Sequence, residues 1–286
     1  MSDPRITPFN GRVAHVSLRG QVEAERFVEG EPMSIQGSVS NVLRSPSGPK
    51  EREILCGETF YVLEMPDDDS SNCAYGYIAR DGYCGYVYAD HLSNIEKPSH
   101  VVSVRETYRK ETPELKKLER HFPMYFGSRV RVLGVDGEWS EIGLKLGGRT
   151  LDRVFRYYVP SPHLVPIEER MAQPAEVARL FLGTPYVWGG NSGRGIDCSG
   201  LVQAAYLACG VACPGDSDLQ MGMAGAALED SAPLQAGDLL FWKGHVAMAT
   251  GPEAIIHANA HHMAVVEEPT MPAIERIAAS DTGPVT

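Results

Sequence analysis

The feature that most constrains this chain is a change of texture around Ser161-Pro162-His163-Leu164-Val165-Pro166. Before it, short strand-like runs alternate with turn residues. After it, apolar residues begin to recur at helical spacing. Two prolines in six residues restrict the backbone and disfavour helix before them, so the segment reads as a linker. With 286 residues available, two or three domains are expected. The boundaries read as 1–97, 98–166 and 167–286.

Val39 to Leu43, Thr59 to Glu64, Tyr75 to Ala79 and Gly85 to Tyr88 are candidate strands. Between them lie Ser45-Pro46-Ser47-Gly48-Pro49, Pro66-Asp67-Asp68-Asp69-Ser70 and Arg80-Asp81-Gly82. A second set follows Lys97-Pro98-Ser99, with candidate strands Val101 to Thr107, Arg129 to Val135 and Trp139 to Leu146. Short strands at this spacing predict small β-barrels. The two sets are loosely alike: Asn41-Val42-Leu43-Arg44 parallels Val102-Ser103-Val104-Arg105, and Phe60-Tyr61-Val62-Leu63 parallels Val130-Arg131-Val132-Leu133. Pro113 to His121 adds a helix to the second set in this reading, and the first 37 residues add strands to the first.

Beyond the proline pair, Ile167 to Leu182 reads as a helix interrupted near Pro174. Cys198 to Cys209 reads as a second helix ended by Gly210, with Leu201, Val202, Ala205, Tyr206 and Cys209 on one face. Four strands follow, Asp238 to Trp242, His245 to Thr250, Ala254 to Asn259 and Ala264 to Glu267. Helices followed by an antiparallel meander give an α+β domain.

Cys198 lies in Ile196-Asp197-Cys198-Ser199-Gly200-Leu201-Val202, between small polar residues at a helix start. If Asp197 is the N-cap, the free N–H groups and the helix dipole favour thiolate over thiol at Cys198. A structural buried cysteine is the commoner fate of a lone thiol, and Cys209, on the apolar face, suits it better. Downstream come Gly244-His245-Val246 and Ile256-His257-Ala258. A hairpin turning at Gly251 would place His245 and His257 directly opposite one another on one face. His245 then serves as base toward Cys198, and His257 orients it. A slip of one residue would move one histidine to the other face.

The formal net charge of −11 argues against nucleic acid and anionic membrane as partners. Six cysteines (Cys56, Cys73, Cys84, Cys198, Cys209, Cys213) are sparse and show no disulfide spacing. No stretch is long and apolar enough to span a bilayer. No secretory leader is visible, so the cytoplasm with free thiols is the expected compartment. A zinc hydrolase is a rival, because His257, His261 and His262 are close in sequence and Cys198 could join them. No helical His-x-x-x-His and no paired-Cys spacing supports it, so neither metal nor cofactor is expected. A non-catalytic binding module is a further alternative, against which the complete Cys198, His245 and His257 set argues.

These residues resemble the NlpC-type cell-wall peptidases, a papain-like family. The resemblance covers Pro174 to Glu268. It includes Gly183-Thr184-Pro185-Tyr186-Val187-Trp188-Gly189-Gly190, Gly195 to Gln203, Gly237-Asp238-Leu239-Leu240-Phe241-Trp242, His245-Val246-Ala247 and His257-Ala258. The N-terminal sets resemble the bacterial SH3-like domains that precede such catalytic domains, through Asp81-Gly82-Tyr83-Cys84-Gly85-Tyr86-Val87. The implied architecture is two all-β SH3-like barrels followed by an α+β papain-like domain. The resemblance implies Cys198 as nucleophile, His245 as base and His257 as the orienting third residue. It implies a murein peptide as substrate, cleaved between γ-D-glutamyl and a diamino acid behind a free N-terminal L-Ala. Tyr186, Trp188, Asp197, Ser199 and Asp216 match positions that line the family's pocket, and Tyr83 is the candidate for the aromatic that closes it. Gly215 stands where related sequences carry arginine, which bears on fine specificity. An amidase or acyltransferase on the same fold stays open.

Overall fold

The structure is a computed structural model and describes residues 3–66, 72–146, 153–229 and 232–286. The expected turn at Asp67 to Ser70 lies outside the described residues. The chain divides into two compact units, Met1–Glu168 and Glu169–Thr286. The proline-rich segment is therefore not a free linker. Ser161–His163 forms a 3₁₀ turn and Leu164–Pro166 an edge strand of the N-terminal unit, paired with His100–Val102. Pro166 is tolerated because it closes an edge strand, where no ladder donor is needed.

A seven-stranded sheet runs Lys50–Leu55, Val39–Leu43, Cys84–Tyr88, Cys73–Ile78, Thr59–Glu64, Glu31–Ile35, Leu92–Asn94. Inward residues Met33, Val42, Ile54, Phe60, Ile78 and Val87 form its core. Val13–His15 pairs with Arg26–Val28 in a separate parallel ribbon, and Val13 and Val28 pack on Leu63 and Tyr75 of the sheet. A five-stranded sheet follows, ordered Val154–Pro160, Trp139–Lys145, Arg129–Asp136, His100–Val102, Leu164–Pro166, with Val102, Val130, Ile142 and Val159 at its centre.

Without its first two strands, the seven-stranded sheet has the same strand order as the second sheet, and each ends with a 3₁₀ turn leading into its last strand. Phe60 to Leu63 and Val130 to Leu133 occupy equivalent strands, each three residues after a glycine at positive φ, Gly57 and Gly127. The other expected parallel fails. Val39–Leu43 corresponds to the hairpin strand Glu106–Arg109, because the expected strand 101–107 breaks at Ser103, whose N–H donates to the His163 carbonyl. Gly57 joins the sheets: a Cβ there would sit 1.9 Å from the Arg129 carbonyl oxygen.

No helix forms over Pro113 to His121. The buried Lys110 ammonium fixes that segment instead, donating to the Glu114 carbonyl at 2.6 Å and pairing with Glu119 at 3.1 Å. A helix would have to give up this counter-charge for a buried cation, which outweighs modest helix propensity.

The C-terminal unit holds α1 (Pro174–Arg179), α2 (Cys198–Ala208) and α3 (Ser217–Met223), then β1 (Leu239–Trp242), β2 (His245–Ala249), β3 (Ala254–Asn259), β4 (Ala264–Pro269) and α4 (Thr270–Ala278). The strands form one antiparallel sheet in sequence order, as the meander reading expects. The expected helix from Ile167 shortens to α1, which starts at Pro174 because proline lacks a donor yet fits a first helical turn. Helix α2 packs against β2 and β3. Helix α4 follows the meander without a sequence signal read above; its Ala273, Ile274 and Ile277 cover the face of the sheet that carries Leu240, Trp242, Ala247 and Ile255.

Candidate active site

Helix α2 begins because Asp197 caps it, accepting from the Gly200 N–H at 2.6 Å. The other carboxylate oxygen accepts from the Gly189 N–H at 2.9 Å, which ties the preceding loop to the cap. The Ser199 hydroxyl donates to the first oxygen at 3.0 Å. Gly200 is required by packing, since a Cβ would lie 2.5 Å from the Gly190 carbonyl oxygen. This architecture sets Cys198, 5% exposed, in the first turn. The backbone N–H groups of Val246, Ser199 and Cys198 itself point at its sulfur.

Val246 follows His245 on β2, so the sulfur lies beside the start of that strand. His245 Nε2 and His257 Nδ1 are 2.9 Å apart and share a hydrogen bond. The register differs from the expected one. Met248 pairs with Ile256 and Ala249 with Ile255, so the hairpin turns one residue later than Gly251. His245 and His257 are diagonal neighbours rather than directly opposed. The shift is by two residues and the side-chain period is also two, so both imidazoles keep the same face. Diagonal neighbours lie roughly 7–8 Å apart at their Cα atoms, within reach of two rings.

Two residues missed in the sequence extend the chain of contacts. His257 Nε2 lies 2.7 Å from Glu268 Oε1 on β4. Arg276 of α4 grips the same carboxylate with both terminal nitrogens, at 2.7 and 2.5 Å. One signal for Glu268 was available. His257 pairs with Val266, and residue 268 is on the same face by parity. Gln220 of α3 was also missed; its amide donates to the Ser199 carbonyl at 2.9 Å and the Pro214 carbonyl at 3.0 Å, bracing the turn after the cysteine.

Burial pushes the Cys198 thiol up to about 12, and the adjoining Asp197 carboxylate adds to the rise; the three N–H groups pull the other way and lose. Burial drives His245 down to about 3, aided by His257 and Arg276 and opposed by Glu268. Burial also lowers His257, against its bond to Glu268. The anionic sulfur expected from the helix start is thus not the resting state. A helix dipole contributes about 0.3–2 kcal/mol, less than the cost of desolvating a thiolate here. Thiol and imidazole rest neutral, and the proton must move during attack. Glu268 is ionised, held at about 2: burial opposes the charge, but Arg276 and His257 outweigh it.

Tyr186 is raised by burial, with Cys198 and the Asp197 carboxylate adding to the rise, which places its hydroxyl near both. Trp188 is 70% exposed on the same segment. Asp216 is half-buried at the start of α3. Ser199 is buried, turned to Asp197. Tyr83 is a correction. It is 2% exposed within the core of the first sheet, beside the Arg52 guanidinium, and so has no free face to offer a ligand. The zinc arrangement also fails on geometry: both His257 nitrogens are engaged, His262 Nδ1 lies against Asn259 Oδ1, and among the described residues no three such side chains gather.

The model of the NlpC/P60 family matches residues 183–277, and that of the bacterial dipeptidyl-peptidase Sh3 domain matches residues 42–92. Dipeptidyl-peptidase 6 of Lysinibacillus sphaericus is 29% identical over 219 residues, 72% of this chain and 79% of that protein. The γ-D-glutamyl-L-lysine dipeptidyl-peptidase of Bacillus cereus is 43% identical over 88 residues, 28% of this chain and only 26% of that protein. In fold, the chain is similar to the crystal structure of an NlpC/P60 family protein from Bacillus cereus, with a TM-score of 0.69 at 19% identity over 84% of this chain and 94% of that one.

Proposed function

We propose, from the premise that this chain is a hydrolase of the NlpC/P60 peptidase family, that it cleaves the γ-D-glutamyl–diamino acid bond of murein peptides with a free N-terminal L-Ala. The observation that carries the reading is the placement of Asp197, whose carboxylate lies close enough to the Cys198 sulfur and the Tyr186 hydroxyl to raise both. A fixed negative charge one residue from the nucleophile favours a substrate that brings an ammonium near the scissile bond. The open indole of Trp188 offers a cation a π-face. The names of the relatives, dipeptidyl-peptidase and γ-D-glutamyl-L-lysine dipeptidyl-peptidase, agree with this reading. We also read residues 98–166 as a second SH3-like barrel, on the shared strand order.

In this mechanism His245 takes the thiol proton as sulfur adds to the γ-glutamyl carbonyl. The backbone N–H of Cys198 and the Tyr186 hydroxyl face the developing oxyanion. Tyr186 keeps its proton because burial raises its pKa. Each such donor contributes about 3–4 kcal/mol in the transition state. The imidazolium, backed by His257, then protonates the departing amine, and water hydrolyses the thioester.

The test is incubation with L-Ala-γ-D-Glu-diaminopimelate and with its N-acetylated form, read by mass spectrometry. Release of L-Ala-γ-D-Glu from the free peptide alone is expected, and C198A should release none. Equal cleavage of both peptides would overturn the free-amine pocket.

A further inference from the structure

We propose that Glu268, clamped by Arg276, is the positioning residue that sets the tautomers of both histidines and so places the basic lone pair on His245 Nδ1. The inference rests on the reading of Cys198 and His245 as nucleophile and base, and it goes beyond that reading by saying what makes the correct nitrogen basic.

An ionised carboxylate can only accept. Glu268 Oε1 lies 2.7 Å from His257 Nε2, so that nitrogen must carry the proton and donate. His257 is fully buried and held neutral. A neutral imidazole has one N–H, so His257 Nδ1 is bare and accepts. Its partner at 2.9 Å, His245 Nε2, must then be the donor. His245 is neutral as well, which leaves its Nδ1 unprotonated. That is the ring nitrogen nearer the backbone of β2, where the Val246 N–H meets the sulfur. One acceptor-only group at the far end thus fixes two proton positions in series.

Arg276 makes the device work. With 14% of its side chain exposed, Glu268 would otherwise be drawn toward protonation by burial. A protonated carboxyl could donate to His257 Nε2, push the proton to His257 Nδ1, and put the wrong hydrogen on His245. The bidentate guanidinium removes that option and also fixes the carboxylate plane. The charged and titratable groups acting on the pair are Glu268 of β4, Arg276 of α4 and His262 of the loop between β3 and β4.

The test uses the full chain labelled with ¹⁵N-histidine, with ring shifts read at neutral pH, together with steady-state kinetics. In the unsubstituted protein His245 and His257 should both carry the proton on Nε2. A proton on His245 Nδ1 would overturn the proposal without any variant. In E268A the two rings should lose their single tautomer, and kcat should fall roughly 10–100-fold, the range seen when a hydrogen-bond partner that orients a metal-bound histidine is removed, with KM little changed. Unaltered ring shifts and kcat in E268A would equally overturn it. C198A separates the two readings: turnover surviving in C198A would reject the nucleophile assignment, whereas the ring shifts report on Glu268 whatever the substrate is.

Discussion

Removing the Asp197 carboxylate should destabilise the C-terminal unit far more than loss of an ordinary helix cap. An exposed N-cap exchanged for alanine costs typically about 1 kcal/mol. Asp197 is 7% exposed and holds two backbone donors that belong to different segments, Gly200 in α2 and Gly189 in the preceding loop. Each buried donor left without an acceptor costs about 1–3 kcal/mol, so D197A should lose about 2–6 kcal/mol. D197N should lose less, because its carbonyl oxygen can still accept from Gly200 while its NH₂ meets the Gly189 N–H donor to donor. The assay is urea unfolding followed by tryptophan fluorescence in a W139F background, leaving Trp188 and Trp242 of the C-terminal unit as reporters. A loss below about 1 kcal/mol in D197A, on the scale of a solvated cap, would refute the claim that this carboxylate bolts the loop to the helix.

Alkylation of Cys198 by iodoacetamide should be slow at neutral pH and keep accelerating above pH 9, because burial holds the thiol up to about 12 and its thiolate fraction rises with pH; a plateau below pH 7 would reveal a preformed thiolate–imidazolium pair. The fall of His245 to about 3 means that the unfolded chain binds its proton first as pH drops; stability is full above the usual histidine range near 6.5 and is lost on acidification, by up to about 2 kcal/mol between pH 6.5 and 5. This slope should shrink in H245A, with the buried His257 keeping its own share, and an unchanged slope there would assign it elsewhere. G57A should unfold or severely weaken the N-terminal unit, because its Cβ meets a backbone oxygen at 1.9 Å and its φ is +74°; circular dichroism showing an unshifted melting transition would contradict the coupling of the two sheets. W188A should leave stability within about 0.5 kcal/mol while raising KM about 2–30-fold, the equivalent of an aromatic–cation contact; an unchanged KM would remove the indole from the substrate.

The fold was legible where local chemistry and tertiary demand agree. The cap at Asp197, the apolar stripe behind Cys198 and the stop at Gly210 are all local signals, and α2 ends one residue before the expected Cys209. The four-strand meander followed from short apolar runs separated by Lys243-Gly244, Gly251-Pro252-Glu253 and His261-His262. The failures share one cause. At Pro113 to His121 a buried lysine recruits the segment through a contact with Glu119, nine residues further on. At Ser161 to Pro166 the partner strand begins at His100. In both, the deciding contact exists only once the fold buries the lysine or brings the distant strand alongside, and local propensity displays neither.

The site divides along the same line, and the histidine pair shows why. Parity alone put both imidazoles on one face, and parity survives any even shift of register, so the contact holds although the pairing was assigned two residues away. Glu268 obeys the same parity from the neighbouring strand, but a glutamate on a strand close to the C-terminus looks like a solvated edge residue until Arg276 arrives from a helix. Tyr83 is the converse. Its aromatic-rich segment looks suited to a peptide, yet a small barrel has so few interior positions that it uses the ring to fill its core and to cover a buried arginine. The protonation state of Cys198 is the deepest of these, because the sequence displays the dipole and the cap that favour a thiolate, whereas the desolvation that overrides them exists only once the sheet has closed over the helix start.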